Sequence, residues 1–429
     1  MLSNKRLQTI LLAALIILFW FPICFNNEFF YDDWTFIDVF KAGPPALSYF
    51  LKPSNEHFMP LFKGIFFLMF KLFRLNIIPY MGLSILMHIL NCVLFLILLR
   101  LIFPKNPLLP FWLSLFFALN TTYFEILHWF TNFSQALTFF FLLITLILLH
   151  RSFLEGKRML FWASVLTSFF IPMNFSMGFL GIVFIALYYI LILSQNTGRR
   201  LFSSLWPYFL SWFVYLIIYL IFTLPSILHK PATAPAVTFK AGQVFLYTLL
   251  GFTGLLVKNL GFSLQVFPYS TILAIILAVL VFFFTFFLIL YLILNPQKER
   301  TTLFGNWKIA AFSLMNMILC YVVLALGRAS LGAEAFLSWG RYHYLPMFFL
   351  TLLMGTFLFK FIEIFSRIFK QRRFILFLAI LFILFLTMHF MLIRQKSESS
   401  IRTEGAVPAH DVSADRNTSA DIWAARPTI

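Results

Sequence analysis

Two adjacent carboxylates, Asp32 and Asp33, are the residues of this chain best suited to chemistry. They lie in YDDW (31–34), after the first hydrophobic run, and are called the acid pair below. Like charges this close repel each other by about 4 kcal/mol at an effective dielectric of about 20, so such a pair usually serves a cation, a proton or a reacting group. One carboxylate could act as general base on an acceptor hydroxyl while the other orients it or shares a divalent cation. The alternative is helix capping, because an Asp before WTFIDVF would accept hydrogen bonds from free backbone N–H groups.

A second group of polar residues lies late in the chain, in GRASLGAEAFLSWGRYHY (327–344). Arg341 could bind a lipid phosphate through two N–H groups, and Arg328 is a weaker candidate for the same contact. The alternative for both is snorkelling, in which the charged end of the side chain simply reaches the aqueous interface. Tyr342 fits the aromatic belt of a membrane surface, whereas His343 could donate to a phosphate or pack in the interior.

Three further residues could contact a substrate. Glu125, in FEILHWFTN (124–132), could bind hydroxyl groups, join a metal site or be an exposed loop acid. His57 begins an apolar stretch, and Lys258, in GLLVKNLG, could contact a phosphate or snorkel. None of the three cysteines has metal-ligand spacing. Whether a divalent cation such as Mg²⁺ or Mn²⁺ takes part is therefore left open, with the acid pair as its ligands if it does.

The composition identifies the class of protein that carries these residues. The chain is 62% hydrophobic and 11% charged, which is too apolar for a soluble protein of 429 residues. The long apolar runs lack the alternation of barrel strands, so the spanning segments must be helices. The net charge of +17 comes mostly from Lys and Arg in short segments between those runs. This is the positive-inside pattern of membrane proteins, and no nucleic acid partner is expected.

The hydrophobic runs predict an all-α transmembrane bundle of about eleven spans, each near the ~20 residues that a bilayer requires. Two further apolar stretches, 57–74 and 243–262, are predicted to be interfacial or re-entrant, because counting them as spans would move basic loops to the outer side. Lys63, Lys71 and Arg74 recur at helical spacing in the first of these, as expected for a helix lying in the interface. The predicted spans are 7–25, 78–103, 108–125, 132–150, 159–171, 176–193, 205–224, 268–293, 309–326, 344–365 and 374–393.

With the N-terminus inside, every loop that holds candidate residues falls on the outer face. The first hydrophobic run is interpreted as a retained span rather than a cleaved signal peptide. The membrane domain is predicted to cover 1–393, with the acid pair in a first outer loop at 26–77. Residues 394–429 are rich in Ala, Asp, Ser, Thr and Pro and are expected to be disordered.

The order of these features resembles the GT-C superfamily of integral-membrane glycosyltransferases, which includes protein O-mannosyltransferases and aminoarabinose transferases. The resemblance covers most of residues 1–365. Two departures are Met59, where members often have Arg before Pro-Leu, and MNFS (173–176), where many have a Lys-Glu pair. The stretches that carry the resemblance are YDDW (31–34), HFMPLFKGIFFLMFKLFRL (57–75), YMGLSILMHILNCVLFLILLR (80–100), FEILHW (124–129) and RYHY (341–344).

The resemblance implies transfer of a sugar from a polyprenyl-phosphate carrier to a glycan, lipid or protein acceptor. The reaction would take place on the extracytoplasmic face of a bacterial inner membrane, which is favoured over the endoplasmic reticulum. The acid pair would supply the base or a metal ligand, and Arg341 would contact the carrier phosphate. The alternative from another class is a transporter or lipid flippase of glycan precursors, which predicts mid-span ionisable residues and an internal repeat. A catalytically inactive relative that acts as an assembly partner is also left open.

Overall fold

The computed structural model describes residues 4–25, 28–54, 57–193, 198–228, 241–259, 307–328, 336–337 and 339–368, together with 387 and 391. Within these ranges the chain is helical, and the only β-type pairing is an isolated bridge between Ser54 and His57. The all-α class is confirmed for this part of the chain. Its helices are α1 (Lys5–Trp20), α2 (Tyr31–Lys41), α3 (Leu47–Leu51), α4 (Pro60–Phe73), α5 (Ile77–Ile102), α6 (Leu109–Ala118), α7 (Phe124–His128), α8 (Phe133–Glu155), α9 (Arg158–Phe169), α10 (Gly181–Tyr188), α11 (Gly198–Leu228), α12 (Ala241–Asn259), α13 (Trp307–Arg328) and α14 (Tyr344–Ile368).

Six of the described helical segments are long and apolar enough to cross a bilayer. They correspond to six of the predicted spans, so the chain is an integral, multi-pass membrane protein. The predicted span 344–365 falls within α14. The predicted span 268–293 and the predicted tail 394–429 lie outside the described residues. Of the predicted span 374–393, only residues 387 and 391 are described. The six segments are Lys5–Phe25, Ile77–Ile102, Phe130–Glu155, Ser176–Leu193, Ser204–Thr223 and Trp307–Arg328.

The predicted span 108–125 is shorter in the structure than the sequence suggests, because α6 has only 10 residues, which is about 15 Å of helix. Helix α9, with 12 residues, agrees with the short predicted run 159–171. Helix α6 ends because the buried side chain of Asn120 accepts a hydrogen bond from the Thr122 N–H and starts a one-turn 3₁₀ helix. The described residues therefore show six spans, and the full number of eleven stays a prediction.

Helix α5 lies at the centre of the described bundle and packs against α1, α6 and α8. Two polar residues inside this span bond to neighbouring helices. His88 Nε2 lies 2.9 Å from the carbonyl of Ala118, and Asn91 Nδ2 lies 3.0 Å from both the Ala136 carbonyl and the Tyr344 hydroxyl. Such hydrogen bonds fix neighbouring helices where no water is present to bond their polar groups.

The segment between α1 and α5, which is predicted to be the first outer loop, contains α2, α3 and α4. Helix α4 buries an aromatic face against α2, with Phe36 and Phe62 ring centres 5.6 Å apart and Phe40 and Phe66 also 5.6 Å apart. Burial of four aromatic side chains in this contact removes a large apolar area from water and holds the loop together. The prediction of a helix in 57–74 is therefore met by α4, which covers Pro60–Phe73.

Lys63 of α4 differs from the prediction, because its side chain is buried rather than placed at the interface. Its ammonium donates to the carbonyls of Tyr49, at 3.2 Å, and Lys52, and it lies 4.8 Å from the centre of the Tyr49 ring. These carbonyls belong to the C-terminal end of α3, where a cation is favourable. Burial, together with the charge of Lys52, lowers the pKa of Lys63 to about 8.

The contact between α12 and α13 depends on Gly251. A Cβ atom at this position would come within 2.4 Å of the Tyr321 ring. We expect Gly251→Ala to destabilise the protein by about 1–3 kcal/mol, because overpacking forces neighbouring atoms apart. In the same helix Gly242 has open space at this position, so Gly242→Ala should be neutral or slightly stabilising. Thermal unfolding of the detergent-solubilised protein measures both, and equal melting temperatures would contradict the packing.

Candidate active site

The loops that contain the candidate residues meet at one end of the bundle. The start of α2 bonds to the 121–132 turn through Asp33 and Thr131. The 121–132 turn in turn bonds to the 339–343 segment through Glu125 and Gly340. His57 joins the same region, since its Nδ1 lies 3.3 Å from the Ser176 backbone nitrogen. Loops far apart in sequence therefore form one continuous surface.

Asp33 is fully buried and bonds to three donors. Its Oδ1 accepts from the backbone N–H of Thr131 at 2.8 Å and from the Thr131 hydroxyl at 2.6 Å. Its Oδ2 accepts from the backbone N–H of Phe30 at 3.1 Å, which closes the first turn of α2 as an acidic residue at this position commonly does. Burial outweighs these hydrogen bonds and raises the pKa of Asp33 to about 6. Its carboxylate thus has the capping role that was the alternative to catalysis.

Asp32 is exposed, in contrast to its neighbour. Among the described residues its carboxylate accepts no hydrogen bond, whereas its backbone carbonyl accepts one from the Thr35 hydroxyl at 2.7 Å. Partial desolvation raises the pKa of Asp32, and the positive charges of Arg341 and Arg328 oppose that rise. Asp32 is therefore the member of the acid pair that is exposed and lies within electrostatic range of the two arginines.

The acid pair does not form a shared cation site in this arrangement. Both oxygens of Asp33 already accept hydrogen bonds from N–H or O–H donors. Across the described part of the chain, no group of three His, Cys, Asp or Glu side chains is placed to hold a metal ion. The residues present therefore do not fit a divalent cation bridging Asp32 and Asp33.

Arg341 is surrounded by aromatic rings. Its guanidinium carbon lies 4.3 Å from the centre of the Trp339 ring, 4.5 Å from that of Trp129 and 5.5 Å from that of Tyr342. Each contact is within the range at which a ring face attracts a cation. The half-buried Arg341 side chain is thus held at the loop surface by neutral groups.

Glu125 binds the backbone beside Arg341. Its Oε1 accepts from the Gly340 N–H at 2.9 Å, and its Oε2 lies 3.4 Å from the Arg341 backbone nitrogen. Gly340 itself lies against the 121–132 turn, since a Cβ atom there would be 2.4 Å from the Thr122 carbonyl oxygen. Glu125 is therefore an anchor for the 339–343 segment, a role that the sequence did not suggest.

The other candidates lie around this centre or away from it. Arg328 Nη2 lies 3.2 Å from His57 Nε2, so these two belong to the same cluster. Tyr342 is buried beside Arg341, and burial raises the pKa of its hydroxyl. His343 is also buried, with Nδ1 2.7 Å from the Tyr321 hydroxyl, which is the packed alternative. Lys258 belongs to α12, and its side chain lies outside the described part of the structure.

Three residues that contact the candidates are not indicated by the sequence: Thr131, Trp129 and Trp339. Trp129 and Thr131 lie in the stretch FEILHWFTN, in which the sequence points to Glu125 only. Single Trp and Thr residues carry no spacing signal, because their contacts with Asp33 and Arg341 depend on loops brought together by the fold.

No protein-family model matches the chain, and no curated protein is significantly similar to it. The resemblance to the GT-C superfamily therefore stays a prediction, and the function has to be argued from the geometry of the site.

The buried carboxyl of Asp33 predicts a pH-dependent stability. Its pKa is about 6 in the folded protein against an ordinary value of 3.8, so the folded state holds this proton more tightly than the unfolded state. The stability that protonation gives is fully present below about pH 4 and is lost as pH rises through about 6, by about 3 kcal/mol in total.

We therefore compare the melting temperatures of the wild type and of Asp33→Asn. The difference, wild type minus variant, should decrease as the pH is raised from about 4.5 to 7. Asp38→Asn is the control, because Asp38 lies in the same helix with its side chain 72% exposed. Thermal unfolding in detergent at stepped pH measures all three proteins. A difference that stays constant with pH would contradict the burial of a titrating Asp33.

Proposed function

We propose that the protein is a membrane glycosyltransferase of the GT-C type, which moves a sugar from a polyprenyl-phosphate carrier to a glycan, lipid or protein acceptor. One observation carries this proposal. The exposed carboxylate of Asp32 lies in electrostatic range of Arg341 and Arg328, at the end of the bundle where four loops meet. A base and two phosphate-binding cations are the groups that such a transfer requires.

In the proposed reaction Asp32 accepts the proton of the acceptor hydroxyl. The hydroxyl oxygen then bonds to the anomeric carbon of the sugar, and the bond from that carbon to the carrier phosphate oxygen breaks. The released polyprenyl phosphate gains one negative charge, which Arg341 and Arg328 stabilise. Partial desolvation raises the pKa of Asp32 and so makes its carboxylate a stronger base. Asp33 does not touch the substrate in this scheme and instead positions the start of α2.

The orientation of the site supports an extracytoplasmic reaction. Helices α5 and α8 both begin near the site, where Tyr80 packs 5.0 Å from Phe130. Helix α5 has Arg100 in its last turn, and α8 has Arg151 four residues before its end at Glu155. Helix α8 has 23 residues, so its far end is about 35 Å away, which exceeds the hydrocarbon core. By the positive-inside rule the end with Arg100 and Arg151 is cytoplasmic, and the acid pair faces the opposite side of what we take to be a bacterial inner membrane.

The position of charges in the spans argues against the transporter or flippase. Such proteins place ionisable residues near the middle of the membrane. In the six described spans every Asp, Glu, Lys and Arg lies near an end, and the mid-span His88 is bonded to neighbouring helices. The charged groups lie instead at the two ends of the spans and in the loops that connect them.

The proposal is tested by transfer from a radiolabelled polyprenyl-phosphate sugar in membranes that contain the protein. We expect Asp32→Asn to lower kcat by about 10²–10⁴-fold, because the general base is lost. Arg341→Ala should lower kcat/KM by about 10²–10³-fold, because the charge of the leaving phosphate is no longer stabilised. Asp38→Asn, an exposed acid of the same helix paired with Lys41, should leave transfer unchanged.

Two outcomes would remove this assignment. Unchanged transfer in both Asp32→Asn and Arg341→Ala would show that these residues take no part in the reaction. Movement of the labelled lipid across the membrane without cleavage of the sugar–phosphate bond would favour the flippase instead.

A further inference from the structure

Among the described residues, the guanidinium of Arg341 contacts aromatic rings and forms no ion pair. The rings of Trp129, Trp339 and Tyr342 contact its guanidinium at 4.3 to 5.5 Å and carry no net charge. The nearest acid along the loop contact, Glu125, accepts hydrogen bonds from the backbone and forms no ion pair with this guanidinium among the described residues. A cation oriented by ring faces keeps its full charge for an incoming anion, whereas one held by a carboxylate would not.

The indole N–H of Trp129 is a second donor in the same place. Its nitrogen is buried and has no hydrogen-bond acceptor among the described residues. Buried donors in proteins are bonded in the great majority of cases, so an isolated one beside a cation calls for an explanation. An anionic oxygen that approaches Arg341 would supply the acceptor, and the same group would then bond to both donors.

Both indole rings are fixed by the anchors described above. Trp129 lies two residues before Thr131, which Asp33 binds, and Trp339 immediately precedes Gly340, which Glu125 binds. The two acids therefore hold the two loops from which the rings reach Arg341. Asp33 and Glu125 therefore both fix the position of the Arg341 guanidinium. Recognition of an oxyanion requires a guanidinium that is held in a defined position.

We propose that Trp129, Trp339 and Arg341 form one recognition unit for the phosphate of the lipid-linked donor. Arg341 supplies the charge, the Trp129 N–H supplies a second hydrogen bond, and the Trp339 ring fixes the guanidinium. This inference rests on the proposed function, since it names the residues that bind the phosphate of the donor at that site.

The test measures binding rather than transfer, so that it does not depend on the acceptor. Farnesyl monophosphate is titrated into the full-length protein in nanodiscs by calorimetry, with farnesol and inorganic phosphate as separate arms. We expect the wild type to bind farnesyl phosphate at least about tenfold more tightly than either of the other two. Binding of inorganic phosphate with equal affinity would overturn the assignment to a lipid-linked ligand.

The variants separate the ring from its N–H group. Trp339→Leu and Trp129→Leu should each weaken farnesyl phosphate binding by about tenfold and leave farnesol binding unchanged. Trp129→Phe keeps a ring but loses the donor, so it should bind more weakly than Trp339→Phe. Trp162→Leu is the matched control, because Trp162 is 54% exposed on α9, away from the site. A purely structural role would weaken farnesyl phosphate and farnesol binding together.

Wild-type affinity for farnesyl phosphate in folded Trp129→Leu and Trp339→Leu proteins would overturn this inference. If only Arg341→Ala lost farnesyl phosphate binding, the result would agree with the proposed function and would contradict a role of the two indoles. A wild type that binds no farnesyl phosphate would count against both. If the Leu variants failed to fold, equal binding by Trp129→Phe and Trp339→Phe would still contradict the second donor.

Discussion

The carboxylate of Asp33 is the interaction on which the site depends. A buried charge is tolerated only where donors surround it, and here three donors, from Thr131 and Phe30, occupy both oxygens. The bond to Thr131 fixes the start of α2 against a turn nearly one hundred residues away. Because successive residues of a helix project about 100° apart, burying Asp33 leaves Asp32 on the exposed side. One acid thereby sets the position of the other.

Glu125 uses the same chemistry at the other side of the cluster. It binds the backbone of the 339–343 segment rather than the guanidinium of Arg341. The chain has only 15 acidic residues, and two of those near the site serve as loop anchors. Asp32 lies within electrostatic range of both Arg341 and Arg328, and among the described residues the guanidinium of Arg341 forms no ion pair, which leaves positive charge at this part of the loop surface.

The sequence was sufficient for helices whose signal is a long apolar run. Helix α5 at 77–102 agrees with the predicted span 78–103, because that run has no internal cap. The predicted span 108–125 was too long, since capping by Asn120 stops α6 inside an apolar stretch. Residue type is enough to single out Asp32 and Arg341 as candidates. It does not show that Asp33 is a buried helix cap or that Glu125 anchors a loop. These roles depend on burial and on loop contacts, such as those of Trp129 and Trp339, which only the folded chain brings together.

The buried amine of Lys63 offers a way to measure how often α3 separates from α4. Its pKa of about 8 leaves a sizeable fraction neutral and nucleophilic near that pH, yet packing against Tyr49 shields it from reagents. An acylating probe can reach this nitrogen only when α3 separates from α4, so the rate of modification measures how often the two part. The segment that holds the acid pair thus contains a side chain whose chemical modification measures the separation of α3 from α4.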